Sequence, residues 1–226
     1  MGSNNYTLTE ALERIDRYLK GYITTPDEQS GTSPIRKRPI VISKKYTLLM
    51  VKIDLNFGNK EKERSNSVYG AVYNELIEIA GNIPQSQCVS FVNNRLYALY
   101  DTPMKNDVNA VIDVAANMCG IIDIINYKCS SFKSNRVKIN ISICYGPTVL
   151  LSYSDLRYNV IGGSELIEDA EIQMGLFDDR VVISRIIYNN IKDDYKALFK
   201  SEGFDMPCTG SIINTAMSNW LMNQKK

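Results

Sequence analysis

The sequence predicts an α+β domain of the split βαβ kind, and three observations predict it. The central segments follow the order strand, helix, hairpin, helix, strand. Their apolar spacing switches between two and 3.6 residues from one segment to the next. With 226 residues, 44% hydrophobic and 23% charged, the chain can bury one sizeable core, and no apolar run reaches the roughly 20 residues that span a bilayer.

The elements follow in order. Thr7-x-x-Glu10 is a capping-box pattern, and Leu12, Ile15, Leu19 and Tyr22 recur at helical spacing, so a first amphipathic helix is expected over about 8–22. Pro26, Gly31, Pro34 and Pro39 mark a connector over 24–40, which also carries the one basic cluster, Arg36-Lys37-Arg38. The expected division is therefore 1–43, helix and linker, and 44–226, the main domain. Tyr46 to Asp54 is mostly apolar and ends in a carboxylate, as a central strand does when its C-terminal end carries a site. Val68, Val72, Leu76 and Ile79 then share one face of a helix over 65–80. The runs 88–92 and 96–100, separated by Asn93-Asn94-Arg95, read as a hairpin, because Asn tolerates the left-handed turn conformation.

Residues 105–127 form a long apolar helix that should back the sheet. Val137, Ile139, Ile141 and Ile143 alternate with polar residues, and 147–152 continue after Tyr145-Gly146, giving a strand pair or one bent strand. Gly162-Gly163 opens a short helix to Gln173, 180–184 is a strand, and 185–191 a short helix.

Composition narrows the chemistry. With no histidine, a Ser-His-Asp triad, a Cys-His pair and the usual His-bearing zinc sites are excluded, so catalysis must rest on carboxylates, hydroxyls, amines or a hard metal. Five widely spaced cysteines without a CxxC pair read as reduced structural thiols. A net charge of +1 with scattered Lys and Arg gives no nucleic-acid footprint. Met1 to Tyr6 lacks a basic segment followed by an apolar one, so a soluble, cytoplasmic protein without a membrane partner is expected.

Four segments in the right order, within roughly 45–192, resemble class III nucleotidyl cyclase domains. Lys52-Ile53-Asp54-Leu55-Asn56-Phe57-Gly58 is similar to the family's first metal-binding motif. Phe91 to Tyr100 resembles its hairpin without the Gly-Asp tip, and Ile139 to Pro147 its strand ending in glycine. Tyr158 to Gln173, followed by 180–184, looks like the glycine turn, helix and strand of the pyrimidine (uridylate) cyclases of bacterial Pycsar antiphage defence. The resemblance implies a ferredoxin-like palm with an N-terminal helix. It also implies a homodimeric lyase that uses Mn2+ or Mg2+ to convert a pyrimidine nucleoside triphosphate, UTP being favoured, to a 3′,5′-cyclic nucleotide and pyrophosphate.

The site residues follow from the same resemblance. Asp54 fits the first metal ligand, and the amides of Asn56, Phe57 and Gly58 form the phosphate cradle. Asn94 stands where the second metal aspartate belongs, offering an oxygen without the charge. Asp101 is no substitute, since the intervening strand puts it on the order of 20 Å from the tip. The family's transition-state Asn and Arg align with Leu166 and Ala170, which leaves Arg95 and Arg180 as candidates for that work. Tyr46, Ser90 and Asn159 match base-facing positions.

Plainer roles stand beside these: Asn93-Asn94 as a hairpin turn, Tyr46 as a core aromatic, and Glu165, Glu168, Asp169 and Glu171 as a solvated helix face. Two other functions remain open. One is a weakened cyclase homologue that binds a nucleotide or a partner as a sensor. The other is a diguanylate cyclase, whose palm opens the same way but whose Gly-Gly-Asp-Glu-Phe hairpin is missing here.

Overall fold

The strand at the centre, β1 (Ile40–Asn56), is apolar on both sides of its pleat from Tyr46 to Val51, so it demands a cover on each face. The computed structural model describes residues 7–19, 40–56, 62–130, 136–153, 158–162, 165–177, 181–201, 203, 206–212 and 214–224. Around β1 the chain runs α1 (Leu8–Leu19), β1, α2 (Lys62–Gly81), β2 (Ser86–Val92), β3 (Arg95–Tyr100), α3 (Lys105–Lys128) and β4 (Arg136–Tyr153). It continues with β5 (Tyr158–Gly162), α4 (Glu165–Leu176), β6 (Val181–Ile183), α5 (Arg185–Asn190), α6 (Asp193–Lys196), β7 (Phe199–Ser201), β8 (Cys208–Gly210) and α7 (Thr215–Gln224).

The described strands form one sheet in the order β2-β3-β1-β4-β6-β8-β7, with β5 paired to β4. Its first four strands are antiparallel neighbours, the arrangement that the split βαβ order requires. One face carries Leu49, Val51 and Ile53 of β1, Leu96, Ala98 and Tyr100 of β3, and Val137, Ile139, Ile141 and Ile143 of β4, all covered by α2 and α3. The other carries Tyr46, Leu48 and Met50 with Leu99 and Cys144, covered by Leu166 and Ala170 of α4.

Several boundaries differ from the periodicity, each for a physical reason. β1 begins at Ile40 rather than Tyr46, because it pairs with β4 along its whole length, from Ile40 opposite Ser152 to Asn56 opposite Arg136. The exposed residues Ile42 to Lys45 are strand by virtue of those hydrogen bonds, not of burial. Of the connector expected over 24–40, only Ile40 is described, and it already belongs to β1. β4 is one continuous strand through Gly146 and Pro147, which lie opposite Tyr46 and Lys45. Gly146 marks a close approach instead of a break: a Cβ there would stand 3.3 Å from Leu166 Cδ1. Tyr158–Gly162 is a strand, with Gly162 opposite Val149, so the following helix opens at Glu165.

Beyond 192, where the periodicity gave no element, β8 and β7 extend the sheet past β6, and α7 docks on α3. The docking is tight at Gly120, where a Cβ would meet Met217 Sδ at 2.6 Å. Helix α3 is long and apolar enough to cross a membrane, against the expectation from runs of residues, but 78% of its apolar window is buried within the fold.

Helix α1 starts as its sequence implies: Thr7 Oγ1 accepts from Glu10 N at 3.3 Å and donates to Glu10 Oε2 at 2.8 Å. Residues 20–22 of the expected helix lie outside the described ones. Ala11 and Ile15 are buried in the α2/α3 core. Arg14 grips the fully buried Glu75 of α2 with Nε and Nη2, at 2.8 and 3.2 Å, and Lys128 of α3 pairs with Asp16. Removing the guanidinium with Arg14→Ala leaves a buried carboxylate short of two charged hydrogen bonds. A loss of about 2 kcal/mol is expected, read as a lower urea midpoint with the slope unchanged.

All five cysteines are buried and none is in a disulfide. Burial pushes the Cys129 thiol up to about 11 and the Cys144 thiol up to about 12. The folded protein at about pH 8 is expected to react with less than one equivalent of a disulfide reagent, and all five thiols to react once denaturant is added.

Candidate active site

Asp54 projects from the last turn of the pleat in β1, opposite Lys138 on β4. Its carboxylate is half exposed, with Lys52 Nζ 3.7 Å from Oδ2. In water, an ion pair at that distance contributes little, so the carboxylate remains available to a ligand.

Beside it sits the tip of the β2–β3 hairpin. The turn is the two-residue kind, Asn93-Asn94, with Asn93 at φ 56°, the left-handed region that Asn tolerates. Arg95 is not part of the turn, since it pairs with Val92 and opens β3. Asn94 clamps the tip onto β1: its backbone oxygen accepts from Ile53 N at 2.9 Å, and its Nδ2 donates to Ile53 O at 3.1 Å. The second bond needs an amide, because a carboxylate has no N–H for Ile53 O, and it leaves Oδ1 as the side chain's acceptor. The Asn94 amide thus holds the hairpin against the strand that carries Asp54.

Ile53, Asp54, Leu55, Asn94, Tyr69 and Tyr73 line one open cleft of about 490 Å³. Tyr69 and Tyr73, one turn apart on α2, stack at 6.0 Å, and Tyr73 packs on Phe91 of β2 at 4.5 Å. Burial, and secondarily Tyr69, holds the Tyr73 phenol above its usual range, so it stays protonated and able to donate a hydrogen bond. Reading α2 by its apolar face passed over both tyrosines. The available signal was a pair of phenols four residues apart on the helix that follows the Asp-bearing strand.

Of the remaining sequence candidates, Tyr46, Ser90 and Arg95 do not line this cleft. Tyr46 is 1% exposed, inside the core under α4, and eight residues before Asp54, about 26 Å along an extended strand. Burial raises its phenol above the usual range, and Lys44 lies over its ring at 5.0 Å. Ser90 lies on β2 opposite Tyr97, half-buried, and does not line the cleft. The Asn159 backbone pairs with Ser152 in β5. Asn56 ends β1, and Phe57, Gly58 and Arg180 lie outside the described residues. Arg95, proposed for transition-state charge, is engaged: its Nη1 donates to Glu171 Oε1 of α4 at 2.7 Å. Leu166 and Ala170 are 3% and 0% exposed, packing residues of α4 rather than groups that face a ligand. Asp101 is held by Lys44 at 2.5 Å, at the far end of the β1/β3 ladder from Asn94.

Among the described residues there is no cluster of three or more His, Cys, Asp or Glu able to enclose a metal ion. The oxygen donors that line the cleft, the Asp54 carboxylate and Asn94 Oδ1, could contribute to holding one hard divalent cation. They lack the charge for a pair of ions held by protein groups alone.

No protein-family model matches the sequence, and no curated protein does. Solved structures do match in three dimensions. A class III adenylyl cyclase-like ATP-binding protein from Pseudomonas aeruginosa superposes with a TM-score of 0.60 at 13% identity, over 80% of this chain and 41% of that one. The adenylyl cyclase CyaB from P. aeruginosa gives 0.56 at 17% identity, over 75% and 93%, and the guanylyl cyclase Cya2 gives 0.55 at 11%, over 77% and 95%. This chain therefore spans under half of the first protein and nearly all of the two cyclase domains. The fold is the palm of the class III nucleotidyl cyclases, with an N-terminal helix in addition.

The Asn94 clamp gives a direct test. In Asn94→Asp, a carboxylate oxygen meets Ile53 O where Nδ2 donated, so the bond is replaced by repulsion. The variant is expected to lose about 1 kcal/mol in chemical denaturation, and Asn94→Ala about as much.

Proposed function

We propose that the chain is a nucleotidyl cyclase that binds a nucleoside triphosphate at the β1 end, with Asp54 as the principal catalytic carboxylate. The observation that carries this reading is the meeting of Asp54, the hairpin-tip Asn94 and the phenols of Tyr69 and Tyr73 in one cleft of a cyclase palm. The reaction joins the ribose 3′ oxygen to the α-phosphorus and breaks the bond from that phosphorus to the α,β-bridging oxygen. Pyrophosphate leaves with the electron pair, and the 3′ proton passes to solvent.

A Mn2+ or Mg2+ ion at Asp54 and Asn94 would supply neutralisation of the triphosphate charge. Asp54 binds at the phosphate end, and Asn94 Oδ1 adds a neutral oxygen while Nδ2 keeps the hairpin in place. Tyr73 presents a protonated phenol to the cleft wall. In this reading Asn56, Phe57 and Gly58 cradle phosphates with their amides. Tyr46 and Asn159 stand too far from Asp54 along the sheet to touch the same nucleotide in one chain without rearrangement, and Ser90 does not line the cleft. Base recognition then falls to a second copy, in keeping with the homodimer that the family resemblance implies. The resemblance of 158–173 to the Pycsar enzymes favours UTP and a cyclic pyrimidine alarm signal in antiphage defence.

A second reading has its own observation. Leu166 and Ala170 are core residues and Arg95 is tied to Glu171, so no described side chain at those positions is placed to stabilise charge in the transition state. A homologue of that kind holds the nucleotide without turning it over and reports its presence to a partner. The class III adenylyl cyclase-like ATP-binding protein of P. aeruginosa, whose structure this fold matches, is in keeping with that alternative.

Incubation with ATP, GTP, CTP or UTP and Mn2+, followed by mass spectrometry, separates the readings. A cyclic pyrimidine nucleotide is expected from UTP, absent in Asp54→Ala, and increased in Asn94→Asp despite its lower stability. Folded protein that binds UTP in calorimetry yet yields no cyclic product from any of the four would leave the second reading in place.

A further inference from the structure

The cleft beside Asp54 lacks what an anionic substrate needs. Its described lining is one carboxylate, Asp54, with Asn94, Tyr69, Tyr73, Ile53 and Leu55, and it includes no cation. A triphosphate is repelled by that carboxylate and gains from cations fixed close by.

The sheet supplies them on the other side of Asp54. Side chains alternate along β1, so Lys52 and Asp54 share one face of the sheet while Ile53 and Leu55 share the other. The register places Lys138 of β4 opposite Asp54, and Arg95 of β3 opposite Lys52. Residues directly opposite each other on antiparallel strands project from the same face, with Cβ atoms about 5 Å apart. Asp54 therefore has one lysine beside it on its own strand and a second across the ladder, both close enough to meet a single bound anion.

Of these three cations, one is left over. Glu171 of α4 holds Arg95 Nη1 at 2.7 Å. Lys52 Nζ lies 3.7 Å from Asp54 Oδ2, a loose and half-exposed pair that costs little to open. Lys138 is exposed, and among the described residues no carboxylate pairs with it. A lysine opposite an aspartate is ordinarily its cross-strand partner. Here the aspartate is taken by Lys52, and the Lys138 ammonium keeps its charge and three donors for another acceptor.

We propose that Lys138, assisted by Lys52, binds the β- and γ-phosphates of a nucleoside triphosphate whose nucleoside end occupies the Asp54 cleft. The inference rests on the nucleotide-binding reading above, holds for the cyclase and the sensor alike, and adds the residues that favour a triphosphate over shorter anions. Asp54 stands at the border, its strand lining the cleft while its side chain shares the face of the two lysines.

The test is calorimetry of the full chain with each of the four nucleoside triphosphates and with inorganic tripolyphosphate, under the Mn2+ conditions of the turnover assay. Tripolyphosphate and at least one nucleotide are expected to bind saturably, with Kd about 1 mM or tighter. Lys138→Gln should weaken both by about fivefold or more, Lys138→Glu by more still, and Lys138→Arg should retain most of the affinity. Lys200→Gln makes the same change in net charge on β7, at the far edge of the sheet, and should leave both affinities unchanged. Where turnover is seen, Lys138→Gln should raise KM with little change in kcat.

A nucleotide that binds the wild type and Lys138→Gln equally would overturn this inference and leave the nucleotide reading standing. So would tripolyphosphate that fails to bind while a nucleotide binds, or an equal loss in Lys200→Gln, which would make the effect one of net charge. Folded wild-type protein that binds none of the five probes would overturn both. Lys138 is exposed, so its variants are expected to fold, and thermal unfolding verifies that they do.

Discussion

Everything in this fold hangs on the seam between β1 and β4. The two strands pair without interruption from Ile40 opposite Ser152 to Asn56 opposite Arg136, and β1 is simultaneously bonded to β3 through 47–52. Leu48, Leu49, Met50, Val51 and Ile53 are at most 1% exposed, so this short run fills both cores at once. Each such side chain contributes about 1.5–3 kcal/mol on burial, which fixes the register: a slip by one residue would exchange the two faces. Asp54 comes next in the strand after this immobilised stretch, which is how an exposed carboxylate acquires a defined place.

The hairpin tip is held to the same strand by local means. The left-handed Asn93 closes a two-residue turn, and the Asn94 amide bonds the Ile53 carbonyl. The amide thus gives the tip a neutral contact that stabilises the turn, and its Oδ1 is left as an acceptor beside the Asp54 strand.

Helix α4 shows how a likeness in sequence order separates from a likeness in chemistry. Its buried face, Leu166 and Ala170, packs on Tyr46, Leu48 and Met50, and its Glu171 holds Arg95. Those contacts define the second core and crowd Gly146, where a Cβ would stand 3.3 Å from Leu166 Cδ1. They also engage Leu166 and Ala170 in packing and Arg95 in an ion pair. The same distinction applies to α3, whose apolar length serves the interior.

The sequence by itself determined the order of the palm's elements, the carboxylate ending β1, the asparagine turn and the burial of the cysteine stretches. Each of these is written within a window of a few residues, as a period, a cap or a turn residue. Only the tertiary structure decided that β1 extends back to Ile40, that β4 passes unbroken through Gly146-Pro147, and that 158–162 is a strand. Those segments owe their state to hydrogen bonds from a partner distant in sequence, which no local period records. It likewise decided that Tyr69 and Tyr73 share a cleft with Asp54, that Tyr46 does not, and that Lys138 stands opposite Asp54. A side chain's role depends on what it meets across the fold, and strand pairing and helix packing settle those meetings.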